Sequence, residues 1–207
     1  MRSQKKICSE CVFLSDCYHR IQKKDFFMSE TERILENNCN MMSVKPAIMQ
    51  MAYPSIRVTG TNPKYAEILK IDYCGAVSEL SAITQYIHSE ILLSNRNCEV
   101  ANIILGIAMA EMIHLQKLGQ LVELLGGYLD YRTMKNQRNT VNWTTEWLQL
   151  QREPGKMIAE GMASEKGAIA QYQKHMQVIK DPYVRKVIAR IIKDEEYHIF
   201  LLQSCQI

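Results

Sequence analysis

The sequence predicts an all-α protein, a four-helix bundle of two similar helical hairpins joined by one long crossover. Four long helical patterns occupy residues 62–204, and the connections between them alternate between short and long. The first and third connections are a few residues each, whereas the second takes up residues 126–153. Short connections make neighbouring helices antiparallel, so this order predicts a hairpin, a crossover and a second hairpin.

Capping residues and breakers mark the ends of the predicted helices. Asn62-Pro63 and Asp181-Pro182 each place a cap residue before a proline at the first helical position. Gly126 supplies a C-terminal stop. The four helices are predicted at approximately 62–93, 98–125, 156–180 and 182–204.

Residues 1–61 form a predicted irregular, Cys-rich N-terminal extension, and residues 62–207 form the predicted bundle. The extension has no clear hydrophobic period, and Pro46 and Pro54 interrupt it. The crossover holds both tryptophans, Trp143 and Trp147. A passive loop of that length is uncommon in a compact domain, so we expect the crossover to span the bundle.

Composition narrows the class of protein. Apolar residues make up 47% of the 207 residues and charged residues 23%, which is typical of a soluble globular protein. The net charge of +3 is too small to indicate binding to nucleic acid or to a membrane. The basic N-terminus precedes no apolar signal core, and we therefore expect a cytoplasmic protein.

A nine-residue stretch occurs twice. Residues 78–86 read SELSAITQY and residues 164–172 read SEKGAIAQY, with six of nine letters identical and a glutamate second in each. The copies lie in the first helix of each hairpin, which indicates an internal duplication.

Each predicted helix carries an apolar stripe at 3-4 spacing that turns polar near its middle. The first and third helices place a glutamate there, and the second and fourth place a Glu-x-x-His pair, whose members share one helix face. The six residues are Glu79, Glu111, His114, Glu165, Glu195 and His198.

Four glutamates in an apolar core are strongly disfavoured unless cations balance them. Two divalent cations would do so, and carboxylate with imidazole suits iron or manganese. The set contains no cysteine, which argues against structural zinc. The sequence therefore predicts two Fe or Mn ions. The alternative is that these polar residues sit at the core edge and point to solvent.

The constellation resembles the ferritin-like superfamily, and its rubrerythrin-like and manganese-catalase-like members in particular. The resemblance covers about residues 62–205 and is carried by SELSAITQYIH, AEMIHLQKLGQLVELLGG and KDEEYHIFLL. It implies that the six residues are the metal ligands, with Glu111 and Glu195 bridging and Glu79 and Glu165 terminal. Typical rubrerythrins carry a further glutamate where this chain has Ala168, and paired Cys-x-x-Cys motifs that this chain lacks.

With this resemblance, we expect an oxidoreductase whose metals act on peroxide or dioxygen in oxidative-stress defence. The expected partners are that small oxidant, an electron-donor protein and a second copy of the chain in a homo-oligomer, with a dimer favoured. Two alternatives stay open: iron oxidation with storage or handling, and a non-catalytic scaffold stabilised by metal.

Three further residues are candidates for support of the metal site. Tyr86 and Tyr172 lie seven residues after Glu79 and Glu165, where each could hydrogen-bond a ligand carboxylate or simply fill the core. Asp194 could accept a hydrogen from a ligand histidine or face solvent. His88 and His175 fall off the stripes, and we expect both at the surface or the edge.

A separate metal site is a candidate in the extension. Cys8, Cys11, Cys17 and His19 offer ligands for zinc, or for iron in electron transfer. Their spacing matches no familiar pattern, and reduced free thiols are the alternative. The seven cysteines of the chain are an odd number, which argues against a disulfide framework.

Overall fold

A computed structural model describes Cys39, residues 41–136 and residues 139–205. All described residues belong to one compact unit. The predicted Cys and His ligands of the extension lie outside the described residues. The boundary predicted at residue 62 stays a prediction.

The all-α bundle of two hairpins and a crossover is confirmed. The helices are α1 Pro63–Cys74, α2 Glu79–Leu93, α3 Cys98–Leu124, α4 Pro154–Val178 and α5 Pro182–Ser204, and the crossover contains strands β1 Arg132–Asn136 and β2 Asn139–Asn142. Helices α2 and α3 form the first hairpin, α4 and α5 form the second, and the shorter α1 precedes them.

The predicted first helix is wrong in one respect, because it breaks at residues 75–78 into α1 and α2. Gly75 leaves the helical path, and a Cβ there would lie 2.5 Å from the Ile71 carbonyl oxygen. Ser78 then starts α2, since its Oγ accepts from the Ser81 N–H and donates to the Gly75 carbonyl. The break puts Glu79 in the first turn of α2.

Two apolar layers enclose one polar layer. On α3, Ile104 and Ile107 belong to one buried cluster, and Leu118 and Leu121 belong to the other. Glu111 and His114 lie between them along the same helix. The site therefore sits at mid-height of the bundle, between two apolar layers.

By length and composition alone, α3 could also cross a membrane. The mean hydropathy of its most apolar window is 1.5, but 56% of that window is buried inside the protein. Its apolar face is the one that packs against the other helices.

The crossover runs along α2. Its two strands pair antiparallel, and a 3-10 turn, Thr145–Trp147, follows them. Trp143 Nε1 donates to Ser81 Oγ at 3.0 Å, and the Gln149 N–H donates to Gln85 Oε1 at 2.7 Å. These contacts place the second half of the crossover against the repeated stretch of α2.

Residues 44–58 lie on the bundle as an extended strap. The Ala47 N–H donates to the Gly106 carbonyl at 2.8 Å. A Cβ at Gly106 would lie 3.0 Å from the Lys45 carbonyl oxygen, so glycine permits this close approach. The strap thus crosses α3 at a fixed point near mid-height.

Candidate metal centre

The six predicted ligands meet in the polar layer, and none points to solvent. Their exposed fractions are Glu79 3%, Glu111 1%, His114 0%, Glu165 2%, Glu195 1% and His198 0%. They form two groups of four residues, and within each group one ligand atom per residue lies within 4.8 Å of the others. The alternative of polar residues at a solvated core edge is therefore wrong.

Glu111 and Glu195 belong to both groups. Glu111 Oε2 lies 2.8 Å from His114 Nδ1, and its Oε1 lies 3.2 Å from His198 Nδ1. Glu195 repeats this arrangement, with Oε1 3.3 Å from His114 Nδ1 and Oε2 3.0 Å from His198 Nδ1. Each carboxylate thus directs one oxygen toward each histidine, which is the geometry that a bridging ligand needs.

Glu79 and Glu165 each face one histidine. Glu79 Oε2 lies 3.6 Å from His114 Nδ1, and Glu165 Oε1 lies 3.6 Å from His198 Nδ1. Each group therefore has one glutamate of its own, one histidine of its own and two shared glutamates. This arrangement matches the terminal and bridging roles that the resemblance implies.

The partners of the two Nε2 atoms fix the orientation of both rings. His198 Nε2 lies 2.9 Å from the Ala47 carbonyl oxygen, which can only accept a hydrogen. His114 Nε2 lies 3.2 Å from Asp194 Oδ2. Both rings therefore carry a hydrogen on Nε2, which makes Nδ1 the nitrogen that would bind a metal ion beside the glutamates.

The donor set fits two metal ions. Among the described residues, both oxygens of Glu195, Glu111 Oε1 and His198 Nδ1 are buried without a hydrogen-bond partner. They lie close together but are not aligned for hydrogen bonds with one another. Such converging lone pairs are stable only with cations or protons between them, and all six ligand atoms are nitrogen or carboxylate oxygen.

Protons occupy several of these groups when no metal is bound. Burial raises the pKa of Glu79 and Glu165 well above the usual value, and the charges of Glu111 and Glu195 raise it further. Burial alone would raise the pKa of Glu111, but the two histidines hold it well below its usual range.

The pKa values of the two histidines shift in the direction opposite to the effect of burial. Desolvation lowers the pKa of each ring, but the facing carboxylates outweigh it and raise the pKa of His114 and His198 well above the usual value. In the metal-free protein the rings are therefore cationic near neutral pH, and a metal ion must displace their protons.

Asp194 joins the strap to His114. Besides His114, it accepts from the Met49 N–H at 2.7 Å and from the Tyr53 hydroxyl. Arg190 Nη1 lies 2.6 Å from Asp194 Oδ1, and the same guanidinium donates to the Met49 and Met51 carbonyls. Burial alone would raise the pKa of Asp194, but the bonds from His114, Arg190 and Tyr53 lower it to about 2.

Two tyrosines form hydrogen bonds that join the two hairpins. Tyr86 of α2 donates to Glu165 Oε1 of α4, and Tyr172 of α4 donates to Glu79 Oε1 of α2. Burial raises the pKa of both hydroxyls, and the carboxylate that each faces raises it further, so both stay protonated. Glu79 thus directs Oε2 to the centre while Tyr172 holds Oε1, whereas in Glu165 the same oxygen, Oε1, contacts both Tyr86 and His198.

A cavity of about 290 Å³ leads to the polar layer from the face between α2 and α4. All four ligand glutamates contribute to its wall. Small side chains of both helices, including Ala82, Ser164 and Ala168, line it, and Gln85, Trp147 and Gln149 lie at the crossover side. A small molecule can therefore reach the ligands through the protein.

Sequence reasoning missed the strap. No spacing signal marks Ala47 or Tyr53, because a backbone carbonyl has no sequence signature and a lone tyrosine in a non-periodic segment is uninformative. His175 was expected at the surface or the edge, but it is buried, 8% exposed, and paired with Asp72. The polar partner lies on α1, far away in sequence.

Fold and site together define the class: the chain is a ferritin-like di-metal carboxylate protein. A model of the family described as Rubrerythrin matches residues 75–205, which is more than half of the chain. The chain therefore belongs to the rubrerythrin family.

Individual relatives are distant. A probable manganese catalase from Clostridium acetobutylicum is 22% identical over 166 residues, which cover 72% of this chain and 73% of the relative. The structure of KatB, a manganese catalase from Anabaena, superposes with a TM-score of 0.66 at 20% identity, over 75% of this chain and 77% of that one. Rhodobacter capsulatus bacterioferritin superposes with a TM-score of 0.58 at 21% identity, over 70% of this chain and 85% of that chain. At these identities, the structural likenesses show the fold alone.

Proposed function

We propose that this protein binds two manganese or iron ions through Glu79, Glu111, His114, Glu165, Glu195 and His198, and that it breaks down peroxide. The observation that carries the proposal is the cavity that reaches all four ligand glutamates. A scaffold stabilised by metal needs no such route, whereas an enzyme acting on a small oxidant does. The named manganese catalases among its relatives support the same reaction class.

The metals would supply redox equivalents and a Lewis acid at the end of the cavity. The protein's own groups hold the geometry around them. Ala47 and Asp194 orient the imidazoles, and Tyr86 and Tyr172 orient the terminal carboxylates. Because both tyrosines keep their protons, they act as fixed donors to the carboxylates.

Iron oxidation with storage is the second candidate function, and the similarity in fold to bacterioferritin supports it. Storage needs a cage of many subunits, and we propose a small homo-oligomer in the cytoplasm, a dimer in the first instance. Native mass spectrometry separates the two, because a particle near dimer mass is incompatible with a storage cage.

The test is peroxide consumption with oxygen evolution by protein loaded anaerobically with manganese, and separately with iron. Glu195→Gln removes a shared ligand and is expected to lose both metals and activity. Glu196→Gln is the matched control, since the neighbouring side chain is 49% exposed and pairs only with Lys193 among the residues that the structure describes. No metal in the wild-type protein after loading, measured by elemental analysis, would refute the site; metal without peroxide consumption would refute the reaction.

A further inference from the structure

A second buried titratable pair lies outside the six ligands. Asp72 is on α1 and His175 is on α4, and they are 1% and 8% exposed. Asp72 Oδ2 lies 2.8 Å from His175 Nδ1, and its Oδ1 accepts from Gln171 Nε2 at 2.8 Å. Because a carboxylate faces Nδ1, that nitrogen carries a hydrogen.

The pair extends from the surface to the cavity. Asp72 contributes to the wall of the cavity that also contains Glu79 and Tyr172. His175 keeps 11% of its side chain exposed, so one edge of its ring reaches solvent. The two groups therefore connect solvent to the cavity through one hydrogen bond, without passing through any of the six ligands.

Asp72 takes up a proton more readily than an exposed aspartate does. Burial raises its pKa above the usual value, although His175 and Gln171 oppose the shift. A titratable group beside Asp72 is Tyr172 of α4, whose pKa the Asp72 charge raises and whose hydroxyl donates to Glu79 of α2. The Tyr172 hydroxyl stays protonated and donates its hydrogen bond to Glu79, so it is not a source of protons.

Peroxide reduction needs protons at the cavity. Cleaving the O–O bond of hydrogen peroxide with two electrons and one proton yields water and hydroxide. The electrons come from the metal pair of the proposed function, and the proton comes from solvent. Oxidation of a second peroxide to dioxygen restores the two electrons and releases two protons, of which one converts the hydroxide to water and the other returns to solvent. Tyr86 and Tyr172 hold their protons too firmly to supply them.

We propose that His175 and Asp72 form a relay that carries protons from solvent to peroxide in the cavity. A proton taken up from solvent at His175 Nε2 allows the Nδ1 hydrogen to pass to Asp72 Oδ2, and Asp72 passes a proton to the peroxide oxygen. The proton released when a second peroxide is oxidised returns to Asp72 and passes from Oδ2 to Nδ1, and Nε2 releases its proton to solvent, which restores the starting state. This inference rests on the proposed function, and it assigns the chain's own acid catalyst.

The first experiment compares manganese-loaded full-length variants of equal metal content. Asp72→Asn and His175→Ala are each expected to lower kcat for peroxide at least about tenfold. Added imidazole is expected to restore rate to His175→Ala and not to Asp72→Asn. A merely structural role predicts no such rescue.

Glu196→Gln is the matched control, because Glu196 is an acid outside the cavity whose side chain is 49% exposed and pairs with Lys193. It is expected to keep the wild-type rate. An equal loss in Glu196→Gln, or wild-type rates in both relay variants, would overturn the relay while leaving the proposed function standing. Wild-type protein that holds metal but consumes no peroxide would overturn both.

The second experiment needs no activity. In metal-free protein, NMR is expected to show the His175 ring hydrogens exchanging rapidly with solvent, and faster than those of His114 and His198. Ring hydrogens of His175 that stay protected for hours, as core amides do, would overturn the relay whatever the enzyme does.

Discussion

Tyr172 donates its hydroxyl hydrogen to Glu79, a glutamate on the other hairpin, and Tyr86 returns the same contact to Glu165. The four residues come from the two copies of the repeated stretch. Each copy thus supplies one carboxylate to its own group and one tyrosine to the opposite group. The duplication explains why the centre is nearly symmetric and why the two hairpins cannot shift independently.

Tyr172→Phe is expected to weaken binding of the metal held by Glu79 and His114 more than binding of the other metal. Losing the hydrogen bond leaves a buried carboxylate oxygen without its donor, which costs about 1–3 kcal/mol. Tyr86→Phe should affect the metal held by Glu165 and His198 instead. Anomalous scattering at the two positions, measured after limited loading, distinguishes these cases.

Tyr128→Phe is the control for both tyrosine variants, since Tyr128 is 78% exposed. It should leave both metal occupancies unchanged. Equal loss of both metals in Tyr172→Phe would show that the tyrosine stabilises the bundle in general and not one group of ligands.

Asp194→Asn is expected to lower metal affinity about 10–100-fold, the usual effect of losing a group that orients a ligand. The carboxylate holds the Nε2 hydrogen of His114 and so keeps Nδ1 turned to the glutamates. Metal titration by calorimetry measures the change. Glu196→Gln is again the control, and unchanged affinity in Asp194→Asn would mean that ring packing alone orients His114.

Arg190→Met is expected to loosen the strap. Arg190 donates to the Met49 and Met51 carbonyls and pairs with Asp194. Removing one partner of a buried ion pair costs about 3–5 kcal/mol. Hydrogen exchange should rise at residues 47–53, and the free energy of unfolding should fall.

Lys193→Met is the control for the strap, because Lys193 is 52% exposed and pairs with Glu196 on the outer face of α5. It should change neither exchange nor stability by more than about 0.5 kcal/mol. Unaltered exchange at residues 47–53 in Arg190→Met would show that the strap is held by its other contacts.

The segments with a helical hydrophobic period could be predicted from the sequence, whereas the structure of the segments without such a period could not. The position of Glu79 relative to Glu111 follows from helix spacing and the duplicated stretch, so the whole ligand set is visible in the sequence. The break at Gly75 and the strap at Ala47 depend on tertiary contacts and backbone atoms. His175 lies off the apolar stripes, and only its distant partner Asp72 shows why it is buried.

Metal affinity is expected to rise with pH between about pH 6 and pH 8, with protons released on binding. The pKa values of Glu79, Glu165 and both histidines are raised in the metal-free protein, so these groups carry protons that metal ions must displace. Raising the pH removes that competition, and lowering it restores the protons and expels the metals. Calorimetric titration with Mn²⁺ in two buffers of different ionisation enthalpy measures the number of protons released. Glu196→Gln should follow the wild-type profile. Equal affinity at both pH values, with heats independent of the buffer, would show that the ligands are already deprotonated before the metals bind.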